Sequence, residues 1–146
     1  MRIRRWLANL YWRFSRWQPH AEPLPDRGVL LGAPHTSNWD FWLMVMISWR
    51  YAIPFRFLAK KSVFWEPLGT IMRALGGIAV DRSVDTGLVG SLVEMARRGE
   101  QFVVVITPEA TRGKVEFWKS GFYRIARDAD LPVILGFVDR ARMTCG

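Results

Sequence analysis

The sequence predicts an α/β protein with a mostly parallel sheet flanked by helices, preceded by an N-terminal amphipathic helix. Two observations carry this prediction. Short apolar runs alternate with longer segments of helical periodicity along most of the chain, which is the order typical of parallel α/β sheets. Half of the 146 residues are apolar and 23% are charged, so the composition allows a packed core and argues against disorder.

The first twenty residues predict a basic amphipathic helix. Its apolar residues recur at the spacing of one helical face: Ile3, Leu7, Leu10, Phe14 and Trp17. The same segment carries five arginines and no acidic residue. Such a helix is typical of a membrane surface with anionic lipid, where rings lie at headgroup depth. The alternatives are a helix packed on the domain with a solvated basic face, and a nucleic-acid arm, although no recognised nucleic-acid-binding module follows.

Strands and helices alternate after a proline-containing linker at residues 19–28. The predicted strands are 28–33, 53–59, 78–80, 102–106 and 133–138. The predicted helices are 39–50, 62–75, 85–98 and 117–128. Ser37 or Asn38 can cap the first of these helices, and Pro67 should kink or break the second.

Several classes of protein are disfavoured by composition. A single cysteine excludes an internal disulfide, and two histidines argue against a multi-histidine metal site. The longest uncharged apolar run, 41–49, has nine residues, whereas a spanning helix needs about twenty. The N-terminus is basic but lacks the apolar stretch and cleavage site of a secretory signal. The net charge of +8 is concentrated in the first twenty residues.

His35 and Asp40 are the first candidates for chemistry. Ligands of α/β sheets gather beyond the carboxyl ends of the strands, and His35 follows the strand predicted at 28–33. Asp40 falls in the first turn of the next helix, where the helix dipole favours a carboxylate. Folding of the loop could place that carboxylate on one imidazole nitrogen and leave the other as a base for a hydroxyl proton near neutral pH. The alternative is a histidine that caps or hydrogen-bonds locally.

No serine or cysteine nucleophile motif accompanies this pair, so direct acyl transfer to the substrate's own hydroxyl is the favoured chemistry. Basic residues follow three other predicted strands and could form an anion pocket: Lys60, Lys61, Arg82 and Arg112. Alternatively, they are surface charges paired with nearby acids. Glu109 could accept hydrogen bonds from substrate hydroxyls or pair with an arginine. Four aromatic residues could line an acyl groove or belong to the core: Trp39, Phe41, Trp42 and Trp65.

Four short blocks occur in order along the chain. They are His-Thr-Ser-Asn-Trp-Asp-Phe at 35–41, Gly-Gly-Ile-Ala-Val-Asp-Arg at 76–82, Thr-Pro-Glu-Ala-Thr-Arg at 107–112 and Leu-Pro-Val-Ile at 131–134. Together they resemble the glycerolipid acyltransferase family (1-acylglycerol-3-phosphate acyltransferase-like), over about residues 28–140. Ala110 stands where the family usually has glycine. If that position requires a positive φ, the added Cβ costs about 1 kcal/mol or more.

The resemblance implies a role for each candidate residue. His35 would be the catalytic base and Asp40 its orienting partner. Arg82 would bind the acceptor phosphate, helped by Arg112 and to a lesser extent by Lys60. Glu109 and Thr111 would position the acceptor. The donor would be a fatty acyl thioester on coenzyme A or acyl carrier protein, with no cofactor and no metal.

We therefore expect an O-acyltransferase of phospholipid biosynthesis that acts on a lysophospholipid or glycerol-phosphate-type hydroxyl. Acyl transfer to a non-phosphate acceptor and a catalytically inactive peripheral lipid-binding protein are the alternatives. The expected location is peripheral, on the cytoplasmic face of a membrane with anionic lipid, with no nucleic-acid partner. Residues 1–20 would form the membrane-surface helix and residues 28–146 the acyltransferase domain. Since family members usually continue further, a C-terminal truncation of this domain is also expected.

Overall fold

The computed structural model describes residues 2–20, 22–35, 37–81, 87–98, 101–111 and 113–146. Its helices are α1 (Arg2–Phe14), α2 (Asn38–Tyr51), α3 (Leu68–Ala74), α4 (Leu88–Arg97) and α5 (Gly121–Asp128), with a 3-10 turn at Lys61–Val63. Its strands are β1 (Gln18–Pro19), β2 (Arg27–Gly32), β3 (Phe55–Lys60), β4 (Gly77–Val80), β5 (Phe102–Ile106), β6 (Val133–Gly136), β7 (Val138–Asp139) and β8 (Thr144–Cys145).

The main sheet has five strands in the order β4-β3-β5-β2-β6, and every neighbouring pair is parallel. In the centre of the sheet, Leu31 of β2 lies opposite Ile106 of β5 and Leu135 of β6. Because all five strands run the same way, their carboxyl ends meet at one edge. The predicted fold class, a mostly parallel α/β sheet flanked by helices with a helix at the N-terminus, is confirmed.

Helices cover both faces of this sheet, as alternation along β3 demonstrates. Leu58 packs toward the face covered by α4 and α5, where Leu92 and Val104 are fully buried. Its neighbour Phe57 points to the other face and makes an edge-to-face contact with Phe41 of α2, with ring centroids 4.9 Å apart. Successive side chains of a strand point to opposite faces, so the apolar run of a doubly covered strand forms two cores.

The N-terminal helix packs on the domain through a face other than the one that the apolar spacing predicts. Ala8 and Trp12 are buried against α2, and the Trp12 indole N–H donates to the Met46 carbonyl oxygen at 3.3 Å. The predicted face is exposed, with Ile3 at 74% and Phe14 at 78%. The helix ends at Phe14, so Trp17 lies outside it. No helix in the described ranges has both the length and the apolarity needed to cross a bilayer.

A second, small sheet joins the two ends of the chain. Strand β1 pairs in parallel with β8, and β7 pairs with β8 in the antiparallel direction. The strand predicted at 133–138 therefore divides, because β6 belongs to the main sheet while Val138 has moved to the small one. Pairing with β2 ends at Gly136, and the N–H and carbonyl oxygen of the next residue, Phe137, bond with Gly146 instead. The linker predicted at 19–28 likewise has Pro19 in β1 and its last two residues, Arg27 and Gly28, in β2.

Two predicted helices are shorter in the structure. The helix predicted at 117–128 begins only at Gly121, because the preceding segment is tied to the turn after β5 by the Lys119 N–H, which donates to the Pro108 carbonyl oxygen at 2.9 Å. The helix predicted at 62–75 is a 3-10 turn followed by α3, and Pro67 immediately precedes α3. Proline fits such a position because the first turn of a helix does not need its missing N–H. Helix α4 begins at Leu88, and residues 85 and 86 of the predicted helix lie outside the described residues.

Candidate active site

His35 and Asp40 meet at the carboxyl edge of the sheet. The imidazole Nδ1 lies 3.3 Å from Asp40 Oδ2, and the two side chains are 22% and 9% exposed. A carboxylate on Nδ1 fixes the ring orientation and favours the tautomer in which Nε2 accepts a proton. Nε2 has no hydrogen-bond partner among the described residues. The arrangement therefore offers a general base on one side of the ring and a charge that stabilises its protonated form on the other.

A capping box at the start of α2 explains the position of Asp40. Ser37 is the N-cap, and its hydroxyl oxygen accepts the Trp39 N–H at 3.0 Å. Asp40 is the third helical residue, and its Oδ2 accepts the Ser37 N–H at 2.9 Å. This reciprocal bonding satisfies the otherwise unpaired donors of the first turn. The same oxygen faces His35, which lies two residues before the cap, so the five-residue spacing of His35 and Asp40 follows from the cap geometry.

Glu109 joins the loop after β5 to the loop after β2. Its Oε1 accepts the His35 backbone N–H at 3.4 Å. Because β2 and β5 are neighbours in the sheet, the segments that follow them emerge side by side. The second carboxylate oxygen of Glu109 is buried and has no hydrogen-bond partner among the residues that the structure describes. A buried oxygen of this kind lies next to the loop that carries the base, which places an acceptor group at the candidate site.

Ala110, directly after Glu109, has a φ of +55°. Only glycine adopts this left-handed region without a steric penalty. Its N–H donates to the Thr107 carbonyl oxygen at 3.0 Å, which closes the turn that follows β5. The glycine usual at this position in the family suits the conformation that this turn requires, and alanine adopts it here at a cost.

Arg140 is a site residue that the sequence analysis missed. Its Nη2 donates to Asp40 Oδ1 at 3.2 Å, so the guanidinium and the imidazole lie on different oxygens of one carboxylate. One hundred positions separate the two partners. Arg140 belongs to no recognised block, so no local signal in the sequence could have identified it.

The other predicted site residues are distributed as follows. Lys60 is exposed at the end of β3, two strands from β2 and so on the order of 10 Å away along the edge. Thr111 is exposed, and its hydroxyl oxygen accepts the Gly113 N–H at 3.3 Å. Arg82 and Arg112 lie outside the described residues. The residues that are described include no cluster of three or more histidine, cysteine or acidic side chains able to hold a metal ion.

Three of the four aromatic candidates for an acyl groove are exposed. Trp39 and Trp42 are three residues apart at the start of α2 and are 65% and 41% exposed, so they do not belong to the core. Trp65 is also exposed, whereas Phe41 packs on Phe57. An open cleft lined by residues 22–26 and 51–54 lies at the amino ends of the strands, on the edge opposite the pair. Its position does not favour it as the reaction site.

Comparisons with known proteins agree with the fold and with the family that the four blocks resemble. The family model described as Acyltransferase matches residues 18–134. No curated protein matches this chain. The structure is similar to the crystal structure of the 1-acyl-sn-glycerophosphate (LPA) acyltransferase PlsC from Thermotoga maritima, with a TM-score of 0.60 and 22% identity. The match covers 90% of this chain and 54% of PlsC, so this chain spans about half the length of that protein.

The structural likeness supports the fold, and the family model extends over most of the chain. The matched residues include all four blocks in full, and the fourth block ends at the last matched residue. The chain therefore belongs to the acyltransferase family, as its resemblance to the glycerolipid acyltransferases predicted.

Proposed function

We propose that this protein is an O-acyltransferase that moves a fatty acyl group from an acyl thioester to the hydroxyl of a lysophospholipid or glycerol-phosphate-type acceptor. The donor would carry the acyl group on coenzyme A or acyl carrier protein. The observation that carries the proposal is the contact of 3.3 Å between His35 Nδ1 and Asp40 Oδ2, with Nε2 on the opposite side of the ring. The name of PlsC, an LPA acyltransferase, supports this class of acceptor.

In the proposed reaction, His35 Nε2 takes the proton of the acceptor hydroxyl as its oxygen attacks the thioester carbonyl carbon. A C–O bond forms, and the tetrahedral intermediate then expels the thiolate as the C–S bond breaks. The imidazolium returns the proton to the leaving sulfur. Asp40 stabilises the imidazolium in between, so neither a covalent enzyme intermediate nor a redox step is required.

The two histidines of the chain provide a matched test. Purified protein would receive radiolabelled acyl thioester and lysophosphatidic acid, beside the variants His35→Ala and His20→Ala. We expect the first variant to lose about 10²–10⁴-fold in kcat, which is the usual contribution of a general base, and the second to keep its activity. His20 is exposed and its backbone pairs with the C-terminal strand. Equal activity of the two variants would refute the role of His35.

We propose that the acceptor phosphate binds at the basic residues that follow β3, β4 and β5. Lys60 at the end of β3 supports this proposal, and Arg82 and Arg112 are included on the resemblance alone. Arg82→Ala and Lys60→Ala should raise the KM for lysophosphatidic acid far more than the KM for a neutral monoacylglycerol. If the KM rises equally for both acceptors, these residues do not select the acceptor by its phosphate.

We propose that α1 binds a membrane surface with anionic lipid, on the cytoplasmic face. Its exposed apolar side chains, which include Ile3 and Phe14, support this proposal together with the arginines on the same helix. Deleting the helix is a poor test, because Ala8 and Trp12 belong to the core. The variant with Ile3→Ser and Phe14→Ser removes exposed side chains only. This variant should bind phosphatidylglycerol vesicles less than the wild type does. Unchanged binding would refute the proposal that α1 binds the membrane surface.

The alternative of an inactive lipid-binding protein makes a different prediction in the same assays. Such a protein would bind the vesicles as wild type and as His35→Ala, and neither form would transfer the acyl group. The positive φ of Ala110 is the observation that keeps this alternative open, because it adds strain beside Glu109.

A further inference from the structure

We propose that Arg140 is a positioning residue that holds the Asp40 carboxylate and shares its charge with His35, and so sets the basicity of the catalytic imidazole. This inference rests on the proposed role of His35 as the base. It assigns a function to a residue that belongs to none of the four blocks.

Among the described residues, the carboxylate of Asp40 contacts groups of the loop before α2 and of the turn after β7. Oδ1 accepts the Arg140 guanidinium at 3.2 Å, and Oδ2 accepts the Ser37 N–H at 2.9 Å and faces His35 Nδ1 at 3.3 Å. The Asp40 side chain is only 9% exposed, so this charge depends on partners more than a surface carboxylate would. With Arg140 on Oδ1 and the helix cap on Oδ2, rotation of the carboxylate away from His35 would break two bonds.

The segment that carries Arg140 is anchored at both of its ends. The side chain of Asp139 accepts the N–H groups of Ala141 and Arg142 at 2.9 and 3.0 Å, which fixes the turn between β7 and β8. After the turn, Cys145 is fully buried between α1 and α2. Arg140 therefore lies on a turn that is fixed on both sides, so its guanidinium has a defined position beside Asp40.

The contact of Arg140 with Asp40 should weaken the stabilisation of the protonated His35 imidazole by that carboxylate. A carboxylate that interacts only with His35 would stabilise the imidazolium strongly, whereas one that also neutralises an arginine stabilises it less. The described charged groups around the pair are Asp40 from α2, Arg140 from the turn and Glu109 from the segment after β5. Removing the arginine takes away one positive charge, so the imidazole should keep its proton to higher pH.

The variant Arg140→Gln tests this role, and Arg142→Gln is its matched control. Arg142 lies on the same turn and its side chain is 83% exposed, but its guanidinium is 3.5 Å from Asp139 instead of Asp40. In R140Q we expect kcat to fall at least tenfold with KM within about twofold. We also expect the acidic limb of the kcat profile to move to higher pH by about 0.5–1 unit, as a half-exposed charge about 6–8 Å away produces at an effective dielectric constant of about 40–60. Arg140→Lys keeps the charge without the planar guanidinium, so its kcat and the position of its acidic limb should lie between those of R140Q and the wild type.

A readout independent of turnover separates this inference from the proposed function. The ring proton resonances of His35, assigned with His35→Ala, would be titrated by NMR in the wild type, R140Q and R142Q. A midpoint that moves to higher pH in R140Q alone supports the inference even if no acceptor is turned over. An R140Q midpoint that is unchanged or lower, or an equal shift in R142Q, overturns it. Wild-type activity that is insensitive to His35→Ala would instead refute the proposed function.

Discussion

Replacing Ala110 by glycine should stabilise the folded protein, because its backbone has a φ of +55° and its side chain is exposed. An L-residue with a Cβ pays about 1–2 kcal/mol in this region. Glycine recovers that energy but adds freedom to the unfolded chain, which costs about 0.4–1 kcal/mol. The exposed methyl contributes little packing, so the net gain is about 0.5–1 kcal/mol. For a chain of 146 residues, this raises Tm by about 2–3 °C.

The assay is thermal unfolding followed by circular dichroism, with Ala79→Gly as the matched control. Ala79 is also an exposed alanine, but it lies in the extended backbone of β4 opposite Ala59. The same substitution there should destabilise by about 0.5–1 kcal/mol, because a strand loses both entropy and a side chain. The two variants should therefore shift Tm in opposite directions. If A110G lowers Tm as A79G does, the strain argument fails.

Three further predictions follow from the described contacts. Ser37→Ala removes the cap of α2 and should lower the free energy of unfolding by about 1 kcal/mol; an unchanged urea midpoint would contradict the capping box. Gly76→Ala should lower the free energy of unfolding by at least about 2 kcal/mol, because its φ is +97° and a Cβ would collide with the Phe55 carbonyl oxygen. Gly90→Ala should raise the free energy of unfolding by about 0.5–1 kcal/mol, because Gly90 lies inside α4 with open space around its Cβ position. Shifts of Tm in the same direction for the two variants would contradict this contrast. Burial raises the pKa of the Cys145 thiol to about 11, so between about pH 9 and 11 the folded protein keeps a proton that the unfolded thiol loses. The contribution of this thiol to the free energy of unfolding should therefore decline over that pH range. Rapid labelling by iodoacetamide at pH 8 without denaturant would show that the thiol is not buried.

Local sequence signals predicted the main sheet well because they depend on short-range physics. The run at 102–106 is continuous and apolar, as a central parallel strand with both faces covered requires, and the structure has β5 at Phe102–Ile106. The predicted cap at Ser37 and the carboxylate at Asp40 belong to one turn, so their relation is also short-range. Where two sheets compete for one apolar segment, as at 133–138, periodicity could not predict that β6 would end at Gly136.

The orientation of α1 was beyond the sequence for a related reason. Its apolar spacing correctly predicts a helix, but the face that packs on the domain is a different one, which carries Ala8 and Trp12. A small residue allows close approach to α2, and the Trp12 indole finds a buried carbonyl oxygen on Met46. These are properties of the partner surface, and a periodicity in one segment contains no information about its partner.

The sequence by itself determined the alternation of strands and helices, the candidate base with its carboxylate and, through four short blocks, the family. Each of these signals lies within a short segment of the chain, where residues are close together. Tertiary structure alone decided that Glu109 reaches the His35 loop and that Arg140 reaches Asp40. Those contacts depend on the order of strands in the sheet and on the return of the C-terminal turn beside α2. Such long-range placement is a result of packing the whole chain, and no spacing of residues encodes it.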